Sequence, residues 1–305
     1  MIIKPPQADE YNKIIECIVE ARGTTYYSPK FYDPEYLSSG EHELFAAYNE
    51  NGEMVGFTGL SYAPFENERA MLSLLNIRPS QTGKGTGTKL LSYTVELLKS
   101  RGIKSVKGHV ITRYPSIQNV LEGLGLRPAG MLYGIRDGRN AVPVIQGKCT
   151  LALYVCNFNV AETGLLFIHD DIAGLAADIY SELNISVNMQ TTGKPGNITK
   201  IEHFHDTHDD VLFVQITECG NDFPEKLNDI TKQYRSSGNL TELVFLSLQN
   251  GSAIFGYEAL LNAGYDFCGF DPLGSYECAL FYRGEFFEAK AEMTGRLKRL
   301  VNEFA

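Results

Sequence analysis

The chain has no apolar run long enough to cross a bilayer, and its first residues, MIIKPPQADEY, lack the apolar core of a signal peptide. Its six cysteines (Cys17, Cys149, Cys156, Cys219, Cys268 and Cys278) form no CxxC pair and no zinc-knuckle spacing. A reduced, cytoplasmic protein is expected, in which the N-x-[ST] sequons at Asn184, Asn197, Asn239 and Asn250 have no role. Basic residues are outnumbered, 27 against 37 acidic, and the resulting net charge of -10 repels polyanions at long range. No nucleic-acid or membrane partner is expected. A GxxxxGK[ST] P-loop is missing, and so is a GxGxxG turn followed by an acidic strand end.

What is present is a globular composition, 44% apolar and 21% charged, over 305 residues, enough for two domains with separate cores. The chain is organised around Met71 to Gly87, MLSLLNIRPSQTGKGTG. An apolar strand ends at Pro79, three glycines alternate with Lys84 and Thr86, and a helical pattern follows from Thr88. Glycine lets the backbone approach an anion, and the amides of a helix start point at it, so the stretch reads as a diphosphate cradle.

Around it the periodicities predict a helix over 7–21, a loop with a short helix over 26–37, and a hairpin (44–48 and 54–61) turning at Asn51-Gly52. A loop over 63–69 precedes the strand that ends at Ile77. Then come a helix over 88–101 capped at Gly102, a strand over 105–111, a helix over 116–124, and strands at 131–135 and 150–156.

The cradle resembles motif A of the GNAT acetyltransferase superfamily, V-x-P-x-x-(R/Q)-G-x-G-x-G, with Ile77, Pro79, Gly83, Gly85 and Gly87 in register and Thr82 in place of Arg or Gln. The element order is similar to a GNAT domain over about 150 residues. Val110 to Gln118, VITRYPSIQ, resembles a V-x-T-x-H-P-x-S-Q stretch of GNAT modules fused to bacterial ATP-binding regulatory domains, with Tyr114 replacing the His. By that analogy such a regulatory protein is a partner. The resemblance implies acetyl-CoA as cosubstrate. It places the cofactor against Leu75, Asn76, Ile77, Thr82, Gly83, Lys84, Gly85, Thr86, Gly87, Thr88, Ser116 and Gln118, with Leu75 and Asn76 offering the backbone amide for the thioester carbonyl. The acceptor implied is an amine of a small molecule or a protein.

Acetyl transfer needs a neutral amine, a polarised carbonyl and a proton for the departing thiolate. The family's usual tyrosine acid falls at Leu121, and Ser73 stands where a Glu is frequent. Glu68 is then the nearest carboxylate, His109 a base that titrates near neutrality, and Tyr114 a cleft hydroxyl, with Tyr62 and Tyr133 as further aromatics. Without the usual acid, a module that binds acyl-CoA without turnover is the alternative.

The second half predicts strand and helix from Thr163 to Asn184, a hairpin (199–204 and 211–217), a helix over 223–234, a strand over 243–248, a helix over 253–262 and a strand over 267–270. Gly264-Tyr265 answers Gly125-Leu126, and Gly269 answers Gly130, at one offset (264 − 125 = 269 − 130 = 139). Cys278-Ala-Leu-Phe-Tyr likewise resembles Thr150-Leu-Ala-Leu-Tyr. The expected architecture is α/β: two tandem GNAT-like domains, 1–158 and 159–305, each a mixed, mostly antiparallel sheet flanked by helices. At the cradle position the second copy reads TECGNDFP from Thr217, with acids that repel a diphosphate, so it is expected to lack the cofactor. A rival reading takes His203, His205 and His208 with nearby aspartates as ligands of a hydrolase metal.

Overall fold

A computed structural model describes residues 1–63, 66–140, 146–235, 240–272, 277–284 and 292–304, with the side chains of residues 63, 66–68 and 140 outside that description. The first half runs β1 (Ile2–Lys4), α1 (Tyr11–Arg22), α2 (Pro34–Ser38), β2 (Glu43–Tyr48), β3 (Met54–Ala63), β4 (Glu66–Ile77), α3 (Thr86–Ser100), β5 (Ser105–Ile111), α4 (Pro115–Gly123), β6 (Arg127–Asp137) and β7 (Lys148–Asn157). The second runs β8 (Ala161–Phe167), α5 (Asp170–Glu182), β9 (Ile185–Gln190), β10 (Lys200–Asp206), β11 (Val211–Glu218), α6 (Phe223–Lys232), β12 (Thr241–Ser247), α7 (Ser252–Asn262), β13 (Asp266–Asp271), β14 (Cys278–Arg283) and α8 (Gly295–Asn302).

The helical spacings bury what they should: α1 turns Ile14, Cys17 and Ile18 inward, and α3 turns Leu90, Leu91, Val95 and Leu98. Gly52 takes φ +78° in the β2–β3 turn, a conformation open to glycine without steric cost. The loop expected over 63–69 is shorter than its polar residues suggested, because β3 extends to Ala63 and β4 starts at Glu66. Strands β1 and β9 and helix α8 were not anticipated. The first two are short edge-type strands, and α8 rests on only Leu297 and Leu300 as buried anchors.

Twelve strands form one sheet in the order β1-β2-β3-β4-β5-β7-β6-β13-β14-β12-β11-β10, and β8 pairs β9 separately. Read from its outer edge inward, the second half (β10-β11-β12-β14-β13) repeats β3-β4-β5-β7-β6 strand for strand. The pairing senses agree too, with β4·β5 and β11·β12 parallel and the other neighbours antiparallel. The repeat extends to single hydrogen bonds. Leu126 N–H donates to Leu121 O at 2.9 Å after α4, and Tyr265 N–H donates to Leu260 O at 3.0 Å after α7, at the same offset (265 − 126 = 260 − 121 = 139).

The halves meet where Gly130 of β6 pairs antiparallel with Gly269 of β13, the two glycines that correspond in the repeat. One hydrophobic cluster runs through both halves, from Leu60 and Leu91 to Val244 and Phe281. Polar ties cross as well: Lys107 Nζ lies 3.0 Å from Asp271 Oδ2, and Asp137 N–H donates to Asp209 Oδ1 at 2.9 Å. No helix among the described residues is long and apolar enough to cross a membrane.

Candidate active site

The site begins where a parallel pair stops being a pair. Strands β4 and β5 are in register from Arg69↔Ser105 to Leu72↔Gly108 and no further, although β4 continues to Ile77 and β5 to Ile111. On its other side β4 bulges: Phe57 pairs Asn76 and Gly59 pairs Ser73, so Leu74 and Leu75 together oppose Thr58. Leu74 sits at φ +53°, which for a branched side chain costs about 1–2 kcal/mol. The bulge re-aims β4 away from β5. A cavity of about 630 Å³ lies in the opening, walled by Leu74, Leu75, Ile77, His109, Tyr114 and Leu121 among others.

The glycine turn follows directly on the cavity wall at Thr82. Gly83 and Gly85 both take φ +78°, and a Cβ at either would meet no protein atom within 4 Å. Their glycine character is thus demanded by the backbone angle and not by packing. The amides of Gly83, Gly85, Thr86, Gly87 and Thr88 have no acceptor among the described residues, whereas Lys89 N–H donates to Gly85 O at 3.0 Å. Free amides at a helix start beside open space fit a diphosphate. Two expected contributions are corrected. Thr82 N–H donates back to Pro79 O at 3.2 Å and Lys84 N–H to Gln81 O at 3.3 Å, closing the turn on itself. The Thr86 side chain is buried with an unpartnered Oγ1, so only its main chain is available.

Of the other cofactor positions, Leu75, Ile77 and Ser116 line the cavity. Asn76 does not: its side chain is fully buried, with Nδ2 donating to Leu74 O at 3.0 Å and Tyr27 Oη at 3.2 Å. That burial concerns the side chain and not the main-chain amide expected to serve; Gln118, by contrast, is corrected. Its fully buried amide donates to Thr112 O at 2.8 Å and Glu292 O at 3.0 Å and accepts from Thr294 N–H at 2.9 Å, so it fastens the segment before α8 to α4.

His109 and Tyr114 line the cavity. Glu68 lies near the start of β4, before the paired stretch, and its side chain is outside the described residues. Tyr62 faces a second, outer pocket, and Tyr133 instead packs on Tyr282 at 4.4 Å. The His109 side chain is exposed to the cavity, yet the flanking walls lower its pKa, to about 4, chiefly by desolvation, with Lys107 and Arg136 adding and Asp271 opposing. The imidazole is therefore neutral at physiological pH, and its charge change does not fall near neutrality as the residue type alone suggested.

Between pH 6.5 and about 4 the unfolded chain binds a proton here that the folded chain does not, so His109 makes stability fall as pH drops through that window. His109→Gln should flatten this part of the fall, checked by denaturant midpoints at about pH 4.5 and about pH 7.5. An equally steep fall in the variant would refute it.

No motif singles out several further residues of the cavity wall. His42 Nδ1 is 3.3 Å from Ser73 Oγ, and desolvation lowers the pKa of this histidine as well. Tyr27 has its pKa raised to about 12 by burial first and Tyr26 second. Arg22 and Arg136 also line the wall, brought there by the last turn of α1 and the end of β6.

Residues 11–120 match the model of the acetyltransferase (GNAT) family. That stretch is a GNAT domain. It contains the bulged strand, the glycine turn and most of the cavity wall; the family uses acetyl-CoA, and the mixed, mostly antiparallel sheet flanked by helices is its fold. Among solved structures the chain is similar to the ribosomal-protein-S18-alanine N-acetyltransferase of Escherichia coli, at 15% identity over 52% of this chain and 94% of that one, with a TM-score of 0.44. It is also similar to the Salmonella typhimurium protein yncA with its cofactor acetyl-CoA, at 16% identity over 52% and 94% of the two chains, TM-score 0.42. A third is a spermidine N-acetyltransferase chimera from Vibrio cholerae, at 12% identity over 52% and 96%, TM-score 0.43. No curated protein matches.

The second half shows the GNAT domain's cleft by contrast. Strands β11 and β12 stay in register through six pairs, from Val211↔Thr241 to Ile216↔Leu246, without the early parting seen between β4 and β5. Before α6, Gly220 N–H donates to Thr199 Oγ1 at 3.0 Å, and that hydroxyl in turn bonds Asp222. His203 and His205 both pack on Tyr234 and have partners of their own: His203 Nε2 lies 3.1 Å from Tyr234 Oη and His205 Nε2 lies 2.9 Å from Asp210 Oδ1. Among the described residues no three groups of metal-binding type converge.

Proposed function

We propose that this protein transfers an acetyl group from acetyl-CoA to an amine of a small molecule or a protein, in the cytoplasm. The observation that carries the reading is the parting of β4 from β5 after Leu72 and Gly108, with unbonded amides at the mouth of the opening. Acetyl-CoA supplies an acyl group already activated as a thioester. The amides of Gly83 and Gly85 to Thr88 would hold its diphosphate. Leu75, on the bulge and without a β5 partner, would offer main chain to the thioester carbonyl.

His42 and His109 have lowered pKa values, so each presents a neutral ring nitrogen that would accept a hydrogen bond from an amine arriving neutral, and neither is basic enough to deprotonate an ammonium. The raised pKa of Tyr27 keeps its Oη protonated, and with Tyr114 it gives the cleft two hydroxyls in place of the one missing at Leu121. The apolar Leu121 in the wall favours a second reading, a module that binds acyl-CoA and does not turn over.

We also read residues 159–305 as a duplicated GNAT-like domain without cofactor, tied to residues 1–158. Matching strand order and closed β11·β12 pairing support this reading. Calorimetry with acetyl-CoA followed by thiol release over an amine panel tests the proposal. Binding with acceptor-dependent release supports transfer, binding with only buffer-rate release leaves the non-catalytic module, and no binding ends both.

A further inference from the structure

The inference rests on the acetyl-transfer reading and concerns the charge of the acceptor. The cavity wall carries Arg22, Arg136, His42 and His109, and among its described lining residues there is no aspartate or glutamate. Arg136 is already compensated: it donates to Tyr26 O at 2.7 Å and lies 3.7 Å from Asp209 Oδ2. Arg22 is not. Its Nε is buried without a hydrogen-bond partner, no carboxylate of the described residues pairs with it, and its guanidinium rests on the rings of Tyr26 (5.2 Å) and Tyr114 (5.7 Å). Aromatic faces attract a cation weakly, and the end of α1 offers at most about half a charge.

The carboxylates of the adjoining outer pocket do not serve Arg22 either. Glu41 accepts from Tyr36 Oη at 2.8 Å, Asp206 from His208 N–H at 2.9 Å, and Asp209 is held by Arg136 and the Asp137 amide. Arg22 is half-buried, with one N–H out of reach of water and unpaired, so a cationic group with an unmet donor faces the cavity and an anion reaching it would gain a charge-assisted bond.

Which anion follows from where Arg22 stands. Tyr26, on which it packs, also carries the Arg136 guanidinium (4.9 Å) and touches Tyr27 (4.7 Å), a ring shared between the inner cavity and the outer pocket. Arg22 thus belongs to the aromatic set that continues into the outer entrance, and the glycine turn has amides of its own for phosphate. We propose that the acceptor is an amine that also bears a carboxylate, as an amino acid does, and that Arg22 holds the carboxylate. A polyamine brings only positive charge to a wall that already has an uncompensated one.

The test uses the full chain at saturating acetyl-CoA, with matched acceptors: free amino acids, the same amino acids as amides, and spermidine. The free acids are expected to be turned over best. Arg22→Gln should raise their KM roughly tenfold to a hundredfold, the loss of a charge-assisted pair. The same variant should leave the amides and the Kd for acetyl-CoA unchanged, and Arg22→Lys should restore part of the discrimination. Faster turnover of spermidine or the amides would overturn the proposal. A loss of acetyl-CoA affinity in Arg22→Gln would do the same, because the arginine would then be serving a coenzyme phosphate. Coenzyme binding with no acetylation of any carboxylated amine also overturns it and leaves the cradle reading intact, whereas absent coenzyme binding removes both.

Discussion

Gly85→Glu is expected to abolish measurable acetyl-CoA binding, raising Kd by at least about a hundredfold, or about 2.7 kcal/mol. Two effects combine at this position. The backbone is at φ +78°, where an L side chain costs about 1–2 kcal/mol, and the side chain would enter the open space that the free amides face. A carboxylate there meets the two charges of a diphosphate in a partly desolvated place, where each unit-charge pair at about 4 Å repels by up to about 4 kcal/mol. The control is Gly52→Glu, which has the same φ of +78° and the same absence of neighbours within 4 Å but lies in the β2–β3 turn. It should lose similar stability and no affinity. Calorimetry on the pair separates backbone strain from the cradle, and equal affinities would sink the cradle.

The largest loss of stability should come from Gly269→Val. A Cβ at this position would lie 2.4 Å from Gly130 Cα and 2.6 Å from Ala129 O, and φ is +117°. Neither obstacle is a flexible side chain, so β6 and β13 must separate to admit it. Loss of more than about 4 kcal/mol, or failure to fold, is the expected outcome. Gly264→Ala gives the scale for backbone strain alone, because Gly264 has φ +79° with nothing within 4 Å, and should lose about 1–2 kcal/mol. If denaturant melts put the two variants within experimental error of each other, the close approach of the strands does not matter to the fold.

Local signals in the sequence were reliable where one residue type has one physical use. Asn51-Gly52 predicted its hairpin, the glycines predicted the turn before α3, and the offset of 139 between Gly130 and Gly269 pointed at the repeat that the strand order displays. The partners that meet only through the tertiary fold were illegible. Gln118 matched a motif, yet its side chain is claimed by Glu292 and Thr294, far away in the chain. Arg22, His42 and Arg136 sit in unremarked surroundings of sequence, and only the folding of α1, the segment before β2 and the end of β6 around the parted strands brings them to one wall. His109 was found as a residue but not as a state, because its titration depends first on desolvation by walls that only the fold assembles, and then on Lys107 beside it and on Asp271 and Arg136 from other strands.

The grip of Gln118 on residues 292–294 bears on how the molecule is made. During synthesis α4 emerges early, but two of the three bonds to its buried amide need backbone that lies 174 and 176 residues further on. At ordinary elongation rates that is a wait on the order of ten seconds or more. One flank of the coenzyme cleft therefore stays unfastened until well after the glycine turn has left the ribosome.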